Sequence, residues 1–284
     1  MTREADPSLN RRRLRIELRK AREQSEKTQK DVADALEWSL SKLIRIEAGT
    51  VGISITDLRA LLQLYGITDP DAVHDLEEAA RASKGQSWWT QYTDMLNPKV
   101  AQLLSYEGAA EEYRCYECVL MPAVLQTSEY TSALLAPFDS PDTPRAVELR
   151  ATRQERLFDD GVGPTAEFVL AESLLHLQIG GPTVLRKQLD HLLARAGQPG
   201  VSVRVLPFSA GAHRSTSRSF ILLGLKDDDD LLFMEGAGGT VLTRSDMEMT
   251  VWYQECFADI SERALSIEES RTRIEHVRDA LSSS

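Results

Sequence analysis

Two adjoining segments decide the fold: TQKDVADALEW, residues 28–38, and SLSKLIRIEAG, residues 39–49. In the first, Thr28 is a suitable N-cap and Asp31 stands where a capping partner sits. Val32, Ala33 and Leu36 then recur on one helical face. In the second, Ser39 is the N-cap, Leu43 and Ile46 form the apolar side, and Gly49 is the expected stop. Upstream, Arg11 to Glu23 places Leu14, Leu18 and Ala21 on one stripe, as an amphipathic helix requires. Downstream, Ser54 or Thr56 opens a further helix with Leu58, Leu61, Leu62 and Tyr65 inward, and Gly66 ends it. Residues 71–84, DAVHDLEEAARASK, have the propensity of a fifth helix followed by a short linker.

Short helices, two of them tightly joined, suit a unit in which the second crosses the DNA backbone and the third enters the major groove. Charge is distributed in keeping with that. The chain has 284 residues and a net charge of -11. Residues 1–70 carry 13 basic and 11 acidic side chains, whereas the remainder carries 20 basic and 33 acidic, a net of -13. Arg11, Arg12, Arg13, Arg15, Arg19, Lys20 and Arg22 crowd one short span. They fit either a solvated helix face or phosphate contact.

Over residues 11–67 the pattern of Thr28–Gln29, Val32–Ala33, Leu36, Ser39, Ile44 to Ile46 and Glu47–Ala48–Gly49 resembles the lambda-repressor-like, or XRE, helix-turn-helix family. The resemblance implies that Gln29 braces a phosphate and reaches a base. It implies that Leu40, Ser41 and Arg45, with Lys42 beside them, lie at base edges, and that Glu47 supports the fold. With Ser39 at the helix start and Arg11, Arg12 and Lys30 as backbone contacts, these are the candidate DNA-binding residues. Arg45 has two readings, a surface ion pair with Glu37 or Glu47 and bidentate contact to guanine. Leu40 likewise fits a thymine methyl or a local apolar patch. One departure stands out: Glu37 occupies the family's turn glycine, which demands a left-handed or altered turn without glycine. Trp38 beside it covers the core or packs on the sugar-phosphate backbone.

From Trp88 the composition changes, and helical and strand-like patterns mix. Helices are expected at 97–112, 127–136, 143–159, 182–195, 247–264 and 267–281. Strands are expected at 114–120 and 168–171, and in VSVRVLPF, SFILLGL and LLFMEGA, the last three as an antiparallel meander or part of a mixed sheet. The expected organisation is therefore two domains. Residues 1–84 form an all-α helix-turn-helix head with its linker. Residues 85–284 form an α+β body with a mostly antiparallel or mixed sheet.

Ordered motifs give that body its own resemblance. They are Pro122–Ala123–Val124–Leu125–Gln126–Thr127 with Tyr130; Arg150, Arg153 and Gln154; Gly180–Gly181–Pro182 with Gln188–Leu189; Val205 to His213 with Ser219–Phe220; and Glu235. Over residues 88–276 these resemble the DUF5753 domain that accompanies XRE-type heads in actinobacterial, Streptomyces-like regulators. The resemblance implies a regulatory part that takes a small partner protein encoded nearby, a small ligand, or its own copy. Pro207, Phe208, His213, Phe220 and Glu235 are the candidate residues for that input, although His213 also fits a hydrogen-bonded loop anchor.

Other chemistry finds little support. Three cysteines are too few for a disulfide scaffold. Cys115-x-x-Cys118 lies in an apolar, strand-like run and has no second pair to complete a zinc site. The five histidines are scattered, and no P-loop, dinucleotide fingerprint or nucleophile elbow occurs. Asp227–Asp230 misses calcium-loop spacing and reads as a solvated hairpin turn. No run is long and apolar enough for a membrane span, and the polar N-terminus is unlike a signal peptide. The expectation is a cytoplasmic, non-enzymatic transcription regulator without cofactor, a homodimer on a palindromic double-stranded DNA operator. The alternative is an antitoxin-like protein that mainly binds a small partner and autoregulates through DNA.

Overall fold

The structure, a computed structural model, describes residues 7–48, 51–159, 163–225, 229–236, 239–243 and 246–281. The expected helix stop at Gly49, and Asp227 and Asp228 of the acidic run, lie outside these. The chain divides into two compact units, residues 1–91 and 92–284.

The first unit is helical: α1 (Pro7–Gln24), α2 (Gln29–Ala35), α3 (Leu40–Glu47), α4 (Ile55–Leu64) and α5 (Pro70–Ala82). Each start after α1 is fixed by its own side chain. Thr28 and Asp31 form a reciprocal capping box, and Ser39, Ser54 and Asp69 accept from the backbone N–H groups of Lys42, Asp57 and Ala72. Such caps are worth about 1 kcal/mol each, which matters for helices too short to persist alone. Leu14, Leu18, Val32, Leu43, Ile46, Leu58, Leu61 and Leu62 make the core, joined by Leu76, Ala79 and Ala80 of α5. Full burial of such a leucine contributes roughly 1.5–3 kcal/mol. Helix α5 belongs to the head: the Arg11 guanidinium donates to the carbonyls of Ser83 (2.9 Å) and Gly85 (2.8 Å) just past its end. The unit therefore extends beyond the boundary expected at residue 84.

The second unit is α+β. Six strands, β1 (Ala110–Glu117), β2 (Thr165–Ala171), β3 (Val201–Leu206), β4 (Phe220–Leu225), β5 (Leu231–Met234) and β6 (Val241–Thr243), form one mixed sheet in the order β3-β2-β1-β4-β5-β6. β1, β2 and β3 run parallel, and β4, β5 and β6 continue antiparallel. The helices are α6 (Pro98–Glu107), α7 (Ser128–Leu135), α8 (Thr143–Gln154, running into a π turn at Glu155–Asp159), α9 (Pro182–Ala196), α10 (Met247–Arg263) and α11 (Ile267–Ala280). Strand alternation sorts side chains onto two faces. Tyr113, Cys115, Phe168, Leu170, Val203 and Leu223 pack with Leu185, Leu189 and Leu192 of α9 and Ile274 and Val277 of α11. Tyr116, Val169, Phe220, Leu222 and Leu232 meet Tyr253, Cys256, Phe257 and Ile260 of α10 on the opposite face.

Two expectations need correction. The first strand spans 110–117, not 114–120: its polar start is carried by pairing with two neighbours, and Met121–Pro122 follows its end. For the same reason the expected helix at 97–112 stops at Glu107. Of the two arrangements open for the last three strand-like runs, meander or mixed sheet, the structure has the mixed sheet: the α9 crossover returns β3 parallel to β2, at the far edge of the sheet. Strand β6, three residues long, carried too little pattern to be read. At the β3 edge, Val205 N donates to Ser270 Oγ (2.9 Å), Val205 O accepts from Leu265 N (2.9 Å), and Arg204 donates to the carbonyls of Ser261, Ala264 and Leu265.

Candidate nucleic-acid interface

The turn between α2 and α3 sets how α3 is presented. Leu36 caps α2, Glu37 takes a left-handed conformation at φ 54°, and the Trp38 N–H reaches back to the Ala33 carbonyl (2.9 Å) while that of Glu37 bonds Asp34 (3.3 Å). This crossed pair is a Schellman closure, which normally favours glycine at the left-handed position. Trp38 packs half-buried on the core, and Lys42 Nζ sits 3.8 Å from its ring centroid.

A buried clasp then ties α1, α2 and α3. Glu47, only 6% exposed, accepts from Arg22 Nε at 2.7 Å and from Gln29 Nε2 at 2.7 Å. Arg22 also donates to the Lys27 carbonyl at 3.0 Å. Beside this clasp, burial pushes the Tyr65 phenol well above its usual range, and the Glu47 charge adds to the effect.

These contacts sort the candidate residues. Gln29 is bonded inside the head, Arg11 is bonded beyond the end of α5, and Lys42 pairs with Asp57 Oδ1 at 2.9 Å. Ser39 spends its hydroxyl on the cap of α3. Arg12 is half-buried, whereas Lys30, Leu40, Ser41 and Arg45 are exposed. In the basic run, Arg19 bonds Glu23, Arg13 pairs loosely with Asp75, and Arg22 belongs to the clasp. Much of what composition offered as a phosphate-binding face is therefore engaged within the fold. Ile44 was missed: it is 43% exposed, as is Leu40. A signal existed, because Leu43 and Ile46 alone complete the buried stripe and leave Ile44 with no inward place.

The body's candidate residues do not gather around one cavity. Phe220 is 1% exposed and packs among Tyr116, Tyr253 and Phe257, so it is core and not a pocket wall. Phe208 is 67% exposed and stacks on His176, while its N–H donates to Glu172 Oε2 at 2.8 Å. Pro207 precedes it at the end of β3. His213 Nε2 lies 3.2 Å from the Tyr116 hydroxyl, and its N–H donates to Thr216 Oγ1 at 2.9 Å, the geometry of a loop anchor. Burial holds its pKa below the ordinary value. Glu235 is exposed; its charge acts on Glu117, whose carboxyl is pushed up to about 7, chiefly by burial. An open cleft of about 330 Å³ lies elsewhere, lined by Met234, Met249, Trp252 and Tyr253 with Arg214 and Arg218.

The sequence motifs of the body instead meet in a buried amide network. Gln126 Oε1 accepts from Arg150 Nη1 (2.5 Å) and Thr131 Oγ1 (3.0 Å), and Gln154 Nε2 donates to the Gln126 carbonyl (2.6 Å). Gln188 donates to the Leu125 carbonyl (2.6 Å) and accepts from Thr127 N (2.7 Å). Arg153 pairs with buried Glu107 through two nitrogens. Burial raises both the Cys115 and Cys118 thiols, the opposite of an activated redox pair. Asp230 is not simply solvated: it accepts from Arg114 (3.1 Å) and Gln254 (2.6 Å). Among the described residues, no helix is long and apolar enough to cross a membrane.

The head, with α3 presented by a closed turn from α2, is a helix-turn-helix domain of the DNA-binding kind: residues 13–76 match the family described as Helix-turn-helix domain. Residues 100–276 match the Domain of unknown function DUF5753, and with that span the chain belongs to the DUF5753 family. No curated protein and no solved structure matches it.

Proposed function

We propose that the protein is a sequence-specific transcription regulator of the XRE type that acts in the cytoplasm as a homodimer. The single observation that carries the reading is α3 itself: its inner side is buried and clasped, and its outer side offers Leu40, Ser41, Ile44 and Arg45 beside Lys30 of α2. In this reading α3 lies in the major groove, Ser41 and Arg45 face base edges, and Lys30 meets a phosphate. Two heads related by a two-fold axis read half-sites about 34–36 Å apart in a palindromic operator. The acidic body, which repels DNA, pairs the two copies and receives the regulatory input, a protein partner in preference to a small molecule.

The test is selection of bound duplexes from a randomised DNA pool by the full chain, followed by anisotropy titrations. A palindromic consensus is expected. Arg45→Ala should relax preference at one base pair by the order of 1–3 kcal/mol. Lys30→Ala should weaken all sequences alike and reduce the salt slope by about one. An unenriched pool, or equal losses on every sequence for Arg45→Ala, overturns the corresponding part of the reading.

A further inference from the structure

We infer that the head reads thymine 5-methyl groups through Leu40 and Ile44, an inference that rests on α3 being the recognition helix. The two residues stand four apart on α3, hence one turn apart on one face. Each leaves 43% of its surface in water, although Leu43 and Ile46 on the same short helix are buried. Two large aliphatic side chains held in water on a helix of eight residues make a face that gains from being covered.

The polar groups nearby narrow what covers it. Gln29, whose amide is suited to adenine, gives its NH₂ group to Glu47 at 2.7 Å. Lys42, suited to guanine, is drawn to Asp57 at 2.9 Å and lies over Trp38. The buried Arg22–Glu47–Gln29 clasp fixes the first of these arrangements from below. The exposed α3 surface is thus an aliphatic pair flanked by Ser41 and Arg45. In the major groove the thymine C5-methyl is the apolar group that a base edge presents. Aliphatic side chains therefore separate thymine from cytosine by apolar contact, without a hydrogen bond, and a base lacking only that methyl loses the contact. Burying one CH₂-sized group is worth ~0.8 kcal/mol, which converts to about fourfold in Kd.

The experiment uses the full chain and the duplex enriched in selection. Each thymine of a half-site is replaced in turn by deoxyuridine, which removes the methyl and keeps the hydrogen-bonding edge. Kd should rise about fourfold at one or two thymines, and remain unchanged at the others. Leu40→Ala and Ile44→Ala should each abolish the deoxyuridine penalty at one thymine while leaving the thermal melt in place, since both side chains are exposed. A duplex that tolerates deoxyuridine throughout overturns the inference while leaving DNA binding by α3 intact. A penalty that survives in both variants overturns it too. Variants that alter the oligomeric state, with the penalty retained, would make the pair a protein contact instead. If no duplex is enriched, the recognition-helix reading falls, and the inference with it.

Discussion

Glu47 in the head is a buried carboxylate and Glu117 in the body a half-buried one, and they are held very differently. Glu47 has an arginine on one oxygen and a glutamine amide on the other, and so joins three helices. Glu77 in the same unit is held by Arg59 and Arg81. In the body, Glu107 has Arg153, and Glu172 has Arg273 and the Phe208 N–H. Glu117 meets no arginine or lysine in an ion pair among the described residues; Ser219 lowers its pKa only in part, while burial and the Glu235 charge raise it. A carboxylate with cationic or amide donors on both oxygens is part of the frame. One without such donors has its pKa raised toward neutrality by burial.

The strongest way to break this comparison is to remove a framing carboxylate. Glu107→Ala leaves the Arg153 guanidinium buried without its partner and should cost the body about 3–5 kcal/mol. Because the head has its own core, a urea titration followed by circular dichroism should show the loss in one transition only; equal loss in both would mean that the units are not independent. Glu47→Ala should next cost the head about 2–4 kcal/mol, since Arg22 and Gln29 both lose their acceptor. A melt within experimental error of the parent would show the clasp to be incidental.

Glu117 supplies the contrasting case. In the unfolded chain its carboxyl releases a proton near the ordinary 4.5; in the fold it does so near 7. Between these values the native state holds a proton that the unfolded state has lost, so stability falls as pH rises from about 4.5 to about 7 and does not recover above it. At about 1.4 kcal/mol per pKa unit the total is on the order of 3 kcal/mol. Glu117→Gln keeps a hydrogen-bonding group beside Ser219 and should remove this part of the slope. An unchanged stability profile between pH 5 and 8 would assign the titration elsewhere. The smallest effect concerns Glu37. Its left-handed backbone costs roughly 1–2 kcal/mol in a residue with a Cβ, while glycine adds unfolded-state entropy. Glu37→Gly should therefore stabilise the head by roughly 0.5–1 kcal/mol, seen as a higher melting temperature of its transition.

The head was legible because its signals are local. Thr28, Ser39 and Ser54 mark helix starts by bonds that span three residues, and Leu43 with Ile46 announces a buried face without reference to distant sequence. The missing glycine at Glu37 pointed to a left-handed or altered turn, and the backbone takes the first of these at φ 54°. What stayed hidden depended on meetings between segments. Nothing near Gln29 says that its amide faces Glu47, and nothing near Arg11 says that it reaches Ser83, so both read as candidates for DNA. Likewise β3 looks like any strand followed by another hairpin; only the packing of α9 on the sheet decides that it runs beside β2. Phe220 read as part of a binding loop because its motif adjoins one, but strand alternation turns it toward α10.

The edge of the sheet at β3 has one more consequence. An outer strand with open backbone N–H and C=O groups is a template on which another chain can add itself, and self-association through such edges is the usual hazard of β structure. Here that template is blunted by the same chain: Ser270 and Leu265 take both backbone groups of Val205, and Arg204 folds across onto the carbonyls that close α10. The opposite edge, β6, is three residues long, too short to seed a stable addition. Crowding of copies at high local concentration is therefore poorly placed to lead into strand-to-strand polymerisation.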